Sequence, residues 1–370
     1  MIVKNNYNEC ITNLACSIRK YFDLEYKHNT LDYIDNILDT YKPENVVTIL
    51  NDGVGSIILD RMLSKDDFLI KNRLKSITTV FPATTVAATT SLLTGLNPCE
   101  TGMLGWHMYY KDIDKTICVF MNSKKGDLEY NPLEEAKEYR NKYMNNKTII
   151  EEINEKGLYK GYCLFPFAEN AYSSLDEMYE RIENLCKKPG KKYIYAYDDK
   201  PDTLMHMVGC DKPDVKKMVE DINKRIENLS KSLTNTIIFV IADHGHYNVE
   251  NILIKDYPDV YECLLRPLSL EQRAVNFFVK PDKIDKFPIL FNKDFKEDFD
   301  LYTKEEIIES KLFGDGDENV IFRDALGDYL AIAKTNKTII DDASDALKSQ
   351  HAGYTDDEIL IPLIVIKTDK

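Results

Sequence analysis

The chain has 370 residues, 44% of them hydrophobic, enough for a sizeable soluble core in one or two domains. Its 62 acidic residues outnumber 48 basic ones, for a formal charge of −14, which excludes a protein built to grip a nucleic-acid polymer. A small phosphorylated substrate stays open, because bound cations can supply positive charge locally.

Eight cysteines (10, 16, 99, 118, 163, 186, 210 and 263) form no CxxC pair and no repeated spacing. That pattern predicts reduced thiols and a cytoplasmic setting. The opening MIVKNNYNEC has no apolar stretch after its lysine, and no run reaches the length of a bilayer span. Neither a signal peptide nor membrane insertion is therefore expected.

In chain order, residues 5–42 predict two amphipathic helices, around Ile11, Leu14, Ile18 and Tyr21, then Leu31, Ile34, Ile37 and Leu38. Asn45-Val-Val-Thr-Ile-Leu reads as a parallel strand covered on both faces, and it ends in Asn51-Asp52-Gly53. A carboxylate just past such a strand lies on the edge where open α/β sheets keep ligands, although a helix cap would look the same. The next apolar run, Ile77 to Phe81, turns at Pro82 into a threonine- and alanine-rich helix. A helix start is an anion site, so Thr84 or Thr85 is a candidate nucleophile as well as a candidate cap.

Residues 107–146 are polar and tyrosine-rich, with few periodic apolar positions, and predict an insert over the sheet edge. Alternation then resumes with a helix at 149–156, a strand at 159–167, a helix at 174–186 and a strand at 192–197. Pro201-Asp202-Thr-Leu-Met-His206 follows; on a helix its Asp and His share one face, as zinc ligands would, although by itself the motif reads first as a capping Asp with an unrelated His. A helix at 212–232 precedes Thr236-Ile-Ile-Phe-Val-Ile-Ala, the most strand-like run, which ends in Asp243-His244-Gly245-His246. Consecutive ionisable groups directly off a buried strand favour a metal reading over a solvated turn. His246 stands as an outer or structural histidine. Residues 252–318 are again mixed, with a strand at 274–280, and Phe313-Gly-Asp-Gly-Asp317 reads as a turn rather than a calcium loop. Strands are expected at 320–322 and 329–333, and Gln350-His351-Ala-Gly-Tyr354 precedes a closing strand at 359–366.

Taken together, NDG (51–53), FPATT through LTGLNPCETG (81–102), PDTLMH (201–206), ADHG (242–245) and HAG (351–353) resemble, in this order, the nucleotide pyrophosphatase/phosphodiesterase family of the alkaline phosphatase superfamily. The resemblance spans the chain from residue 45 onward. It implies an α/β, alkaline-phosphatase-like fold: a largely parallel central sheet, helices on both faces and small inserted lid segments. All of 1–370 is then one catalytic domain, with 107–146 and 252–318 as inserts. It also implies two divalent metal ions, zinc with manganese as the alternative. Asp52, Asp243 and His244 would hold one together with the nucleophile, and Asp202, His206 and His351 the other. The nucleophile it implies is Thr85, a threonine that would also be a metal ligand.

The implied activity is cleavage of a phosphodiester or pyrophosphate bond in a nucleotide-like small molecule through a phospho-threonine-type intermediate. Alternatives are a phosphomonoesterase, a phosphonate hydrolase, a phosphosugar mutase, or a non-catalytic binding protein on the same fold. In one respect the sequence departs from the family. Trp106 stands where the family has an asparagine that donates to a phosphoryl oxygen, so either a backbone amide or His107 takes that role or the site handles its phosphoryl group differently. Trp106, with Tyr109 and Tyr110, could instead stack on a nucleobase or form a packed aromatic cluster.

Overall fold

A computed structural model describes residues 5–167 and 171–369; the first four residues of the N-terminal stretch judged above lie outside it. The strands of the two larger sheets are, in chain order, β1 (Asn45–Asn51), β2 (Arg73–Thr78), β3 (His107–Tyr110), β4 (Lys115–Cys118), β5 (Ser123–Lys124), β6 (Lys160–Leu164), β7 (Lys192–Asp198), β8 (Thr236–Ile241), β9 (Ser269–Leu270), β10 (Ala274–Phe277), β11 (Phe299–Thr303), β12 (Tyr329–Ala333) and β13 (Leu360–Lys367). The main sheet has the order β2-β13-β8-β1-β7-β6. β1 pairs in parallel with β7 and β8, and β6 with β7, whereas β13 runs antiparallel to both its neighbours.

Both faces of this sheet are buried, which is why its central strands are near-continuous apolar runs. In β1, Val46 and Leu50 join the core under the first helices, while Val47 and Ile49 face the opposite core. β8 repeats the alternation, with Ile237, Phe239 and Ile241 on one side and Ile238 and Val240 on the other. The first face carries α1 (Ile11–Tyr21) and α2 (Asp32–Tyr41), and the second α3 (Ser56–Met62). Following β2 is α4 (Thr85–Thr94), and further on come α5 (Glu134–Tyr143), α6 (Ile149–Lys156) and α7 (Leu175–Cys186). After β7 lie α8 (Lys200–Val208) and α9 (Pro213–Ser232). α9 presents Val215, Val219, Ile222, Ile226 and Leu229 to the core at helical spacing.

The expected inserts build most of a second, seven-stranded sheet, ordered β11-β12-β10-β9-β3-β4-β5. Its strands are short and all its pairings antiparallel. Phe81, Val86 and Met103 from the segment around α4 share a core with Met108, Ile117 and Leu330 of this sheet. The strand expected at 320–322 is not formed: Val320 is 77% exposed in a turn, and Phe322 opens the short helix Phe322–Ala325. Three apolar residues are too few to show a period. The Asn319 side chain fixes the turn instead, accepting from the Ile321 amide and donating to the Tyr143 carbonyl.

The parallel strands all end at one edge. Asp52 follows β1, Asp202 and His206 lie on α8 just beyond β7, and Asp243 and His244 follow β8. Because β13 is antiparallel, the loop before it, carrying His351, lies at that edge too. This is where the sheet topology places a ligand.

Candidate active site

Thr85 is the first residue of α4 and Thr84 its cap residue. A threonine-rich helix is locally unfavourable, but Thr89, Thr90 and Thr94 turn their hydroxyls back onto carbonyls four residues earlier, at 2.6–2.7 Å. Thr85 is left free to point away. Its Oγ1 lies 3.3 Å from Asp52 Oδ2 and 3.2 Å from His244 Nε2, with the residue 93% buried (7% exposed). Thr84 turns elsewhere and donates to Glu271 Oε1 at 2.6 Å.

Asp52, Asp243 and His244 bring ligand atoms within 4.8 Å of one another. So do Asp202, His206 and His246, and Asp202, His244 and His351. All six predicted ligands thus converge, and His246 joins them. Gly53 makes room, since a Cβ there would lie 2.7 Å from His246 Cδ2. Gly245 passes so close to the neighbouring loop that a Cβ would strike the Asp357 carbonyl at 1.9 Å.

The imidazole tautomers follow from the acceptors. His206 Nδ1 donates to the Ser349 carbonyl at 2.8 Å, His244 Nδ1 to that of Gly245 at 3.0 Å, and His351 Nδ1 to that of Ala83 at 3.0 Å. The Ser349 hydroxyl spends its proton on the Met205 carbonyl, so it accepts from His246 Nδ1 at 3.0 Å. In each neutral ring, Nε2 then carries the lone pair that a metal needs.

The electrostatics point the same way. Burial, then the charges of Asp243 and Asp202, raises the Asp52 carboxyl well above its usual range. Burial would raise Asp202 as well, but His206 above all overcomes it and holds this carboxyl well below the normal value, and Asp202 in turn raises the His206 imidazole against its own burial. His351 is pushed far down by burial and the nearby His244, and His246 to about 4 by burial, so both are neutral at ordinary pH. His246 Nε2 nevertheless sits 2.6 Å from Asp202 Oδ1, an acceptor facing an acceptor. Asp243 Oδ2 is buried with no hydrogen-bond partner. Carboxylates packed beside basic imidazole nitrogens, with a donor missing between them, are what a divalent cation satisfies. The residues present fit the metal ions that the resemblance implies.

Sequence reasoning missed three supports. Tyr197, at the end of β7, donates its phenol to Asp52 Oδ2. Glu271, after β9, accepts from the Thr84 hydroxyl and from the Trp106 amide at 2.7 Å. Burial raises its carboxyl to about 7 against the pull of these two donors. Arg273, fully buried, pairs bidentately with Glu358 at 2.6 and 2.9 Å. Glu358 Oε1 also accepts from the Gly353 amide, which ties the second sheet to the His351 loop. Arg273→Ala is therefore expected to cost about 3–5 kcal/mol, because it strands a buried carboxylate; a chemical denaturation midpoint within error of the unmodified protein's would refute this.

The expected substrate contacts fare differently. The Trp106 amide donates to Glu271, so to take the role of the family's asparagine it would have to leave this carboxylate. The indole rests edge-on against Phe120 at 5.9 Å between centroids. His107 lies in β3 opposite Cys118 and Leu270, with Lys125 nearby, and burial drives its pKa down to about 3. Tyr110 is fully buried and stacked on Tyr139 at 4.2 Å, and Tyr109 lies beneath the Arg266 guanidinium. These tyrosines form packed clusters, not an open platform for a base.

The sequence pattern of the type I phosphodiesterase / nucleotide pyrophosphatase family matches residues 46–355. The chain belongs to that family. Membership supports a hydrolase of phosphoesters. No curated protein matches by sequence. Among solved structures, murine ectonucleotide pyrophosphatase / phosphodiesterase 5 superimposes with a TM-score of 0.64 at 20% identity, covering 86% of this chain and 87% of that one. The human counterpart gives 0.65 at 17% identity, covering 87% of each chain. Phosphonoacetate hydrolase from Sinorhizobium meliloti 1021, in complex with phosphonoacetate, gives 0.62 at 15% identity, with 88% and 91% covered. An inactive threonine-to-alanine form of the murine protein has been solved in complex with AMP. At such identities these likenesses speak for the fold: α/β, with a largely parallel central sheet.

Proposed function

We propose that this family member is a two-metal phosphodiesterase or pyrophosphatase that acts on a nucleotide-like small molecule through Thr85. The supporting observation is one juxtaposition: the Thr85 hydroxyl, at the start of α4, lies against Asp52 and His244, at the edge of a cluster of three carboxylates and four imidazoles.

Asp52, Asp243, His244 and Thr85 would hold one divalent ion, and Asp202, His206 and His351 the other, zinc or manganese in either place. Such ions supply Lewis acidity at phosphoryl oxygens and lower the pKa of a bound hydroxyl. The chain's own part starts with Tyr197, which fixes Asp52. Asp52 in turn faces the Thr85 proton and receives it as Oγ1 attacks phosphorus. The ester or anhydride P–O bond breaks, the leaving oxygen departs opposite Oγ1, and the phosphoryl group is carried on Thr85. Water attacks the same phosphorus from the vacated side and returns the hydroxyl. The first amides of α4 have no intrahelical acceptors, and the helix dipole places partial positive charge there for the transferring group.

A reduced, cytoplasmic setting belongs to the same proposal: all eight cysteines are unpaired, and cell fractionation would test it. No helix among the described residues is long and apolar enough to cross a membrane. Hydrolysis of a bis-aryl phosphate at least about tenfold faster, in kcat/KM, than of the mono-aryl ester is expected from a diesterase. A monoester preference would favour the phosphatase or phosphonate-hydrolase alternatives instead.

A further inference from the structure

One charged group at this edge is neither a ligand in any of the converging sets nor a partner of a basic side chain among the described residues. Glu271 sits in the turn between β9 and β10, after Leu270, whose backbone takes the left-handed φ of 60°. Leu270 is fully buried, and its backbone lies so near Gly105 that a Cβ at 105 would meet it at 2.9 Å. The turn is thereby wedged against the stretch leading to Trp106, and the carboxylate is aimed at the start of α4. There Oε1 takes two hydrogen bonds, from the hydroxyl next to the proposed nucleophile and from the Trp106 amide. The other oxygen is left over. The residue is half-buried, and its charge acts on both His206 and His244, one from each proposed metal set.

Elementary charge counting gives this placement a meaning. Two divalent ions against the carboxylates of Asp52, Asp202 and Asp243 leave one positive charge. Glu271 cancels it. A neutral surround accommodates a phosphoryl group with one negative charge, as in a diester, and disfavours the second charge of a monoester. Resting on the two-metal reading above, we propose that Glu271 is a specificity-determining residue that selects singly charged phosphodiester groups over dianionic phosphomonoesters. Nothing in its role requires contact with a metal ion.

The test compares kcat/KM for bis(4-nitrophenyl) phosphate and 4-nitrophenyl phosphate, at alkaline pH, with metal content measured alongside. Glu271→Gln keeps an oxygen for both donors and removes the charge. It should raise the monoester-to-diester ratio by about tenfold or more, with metal content unchanged. Glu271→Asp keeps the charge and should leave the ratio within about threefold. Glu271→Ala, which removes the group altogether, must move the ratio in the same direction as Gln and serves if the Gln variant does not fold. A ratio that stays put, or shifts toward the diester, in whichever neutral variant folds overturns the inference while leaving the diesterase reading intact. Failure of the unmodified, metal-loaded protein to hydrolyse either ester overturns that reading, and the inference with it.

Discussion

Thr85→Ala is expected to lower turnover of a phosphodiester by at least about three powers of ten, with metal content nearly intact. Among the described residues this hydroxyl, the proposed nucleophile, lies against both Asp52 and His244, and it is already in place on a buried helix end. Removing it takes away the proposed bond-forming atom while deleting no carboxylate or imidazole. Thr84→Ala serves as the internal control. Thr84 is one residue away and also buried, but its hydroxyl is committed to Glu271, so its loss should cost no more than about tenfold. Steady-state rates on the same diester separate the two. Reversed effects would move the nucleophile from Thr85 to Thr84.

The second large effect is expected at Asp202. This carboxylate belongs to two of the converging groups, contacting His246 at 2.6 Å and His206 at 3.3 Å and lying within ligand reach of His244 and His351. Asp202→Ala should therefore remove about one metal ion per chain and slow catalysis by about three powers of ten. His351→Ala deletes one ligand without touching that hub and should weaken the same site less. Elemental analysis of each variant, set beside its rate, checks both halves. Full activity in the Asp202 variant would contradict the proposed second ion.

Asp52, Asp202, His206, Asp243 and His244, five of the proposed ligands, were legible as candidates because they follow strongly patterned strands. β1, β7 and β8 are buried on both faces, so their apolar runs stand out, and the ionisable residues that follow them stand out in turn. The second sheet was legible only in part: β10 and β12 form where strands are expected, at 274–280 and 329–333, but its other strands had no clear signal. β9 has only two residues, and of its antiparallel partners β10 follows at the next turn while β3 lies far back in the chain, so no local period marks it. Glu271 was invisible for the same reason: Ser-Leu-Glu-Gln-Arg carries no pattern, and only the tertiary fold sets its carboxylate beside Thr84. His246 had a signal that went unused. Two residues beyond His244, after a glycine that lets the chain turn sharply, it returns toward the same cluster and meets Asp202. At Trp106 nothing in the sequence shows that the backbone amide is bound to Glu271, a partner that only the tertiary fold places there.

The direct test of the central claim is the metal content of the protein purified without chelator, measured by plasma mass spectrometry together with anomalous scattering from crystals. About two zinc-class ions per chain are expected, with peaks between Asp52, Asp243, His244 and Thr85 and beside Asp202, His206 and His351. Fewer than about one ion per chain, with no peak within coordination reach of Thr85, would contradict the account.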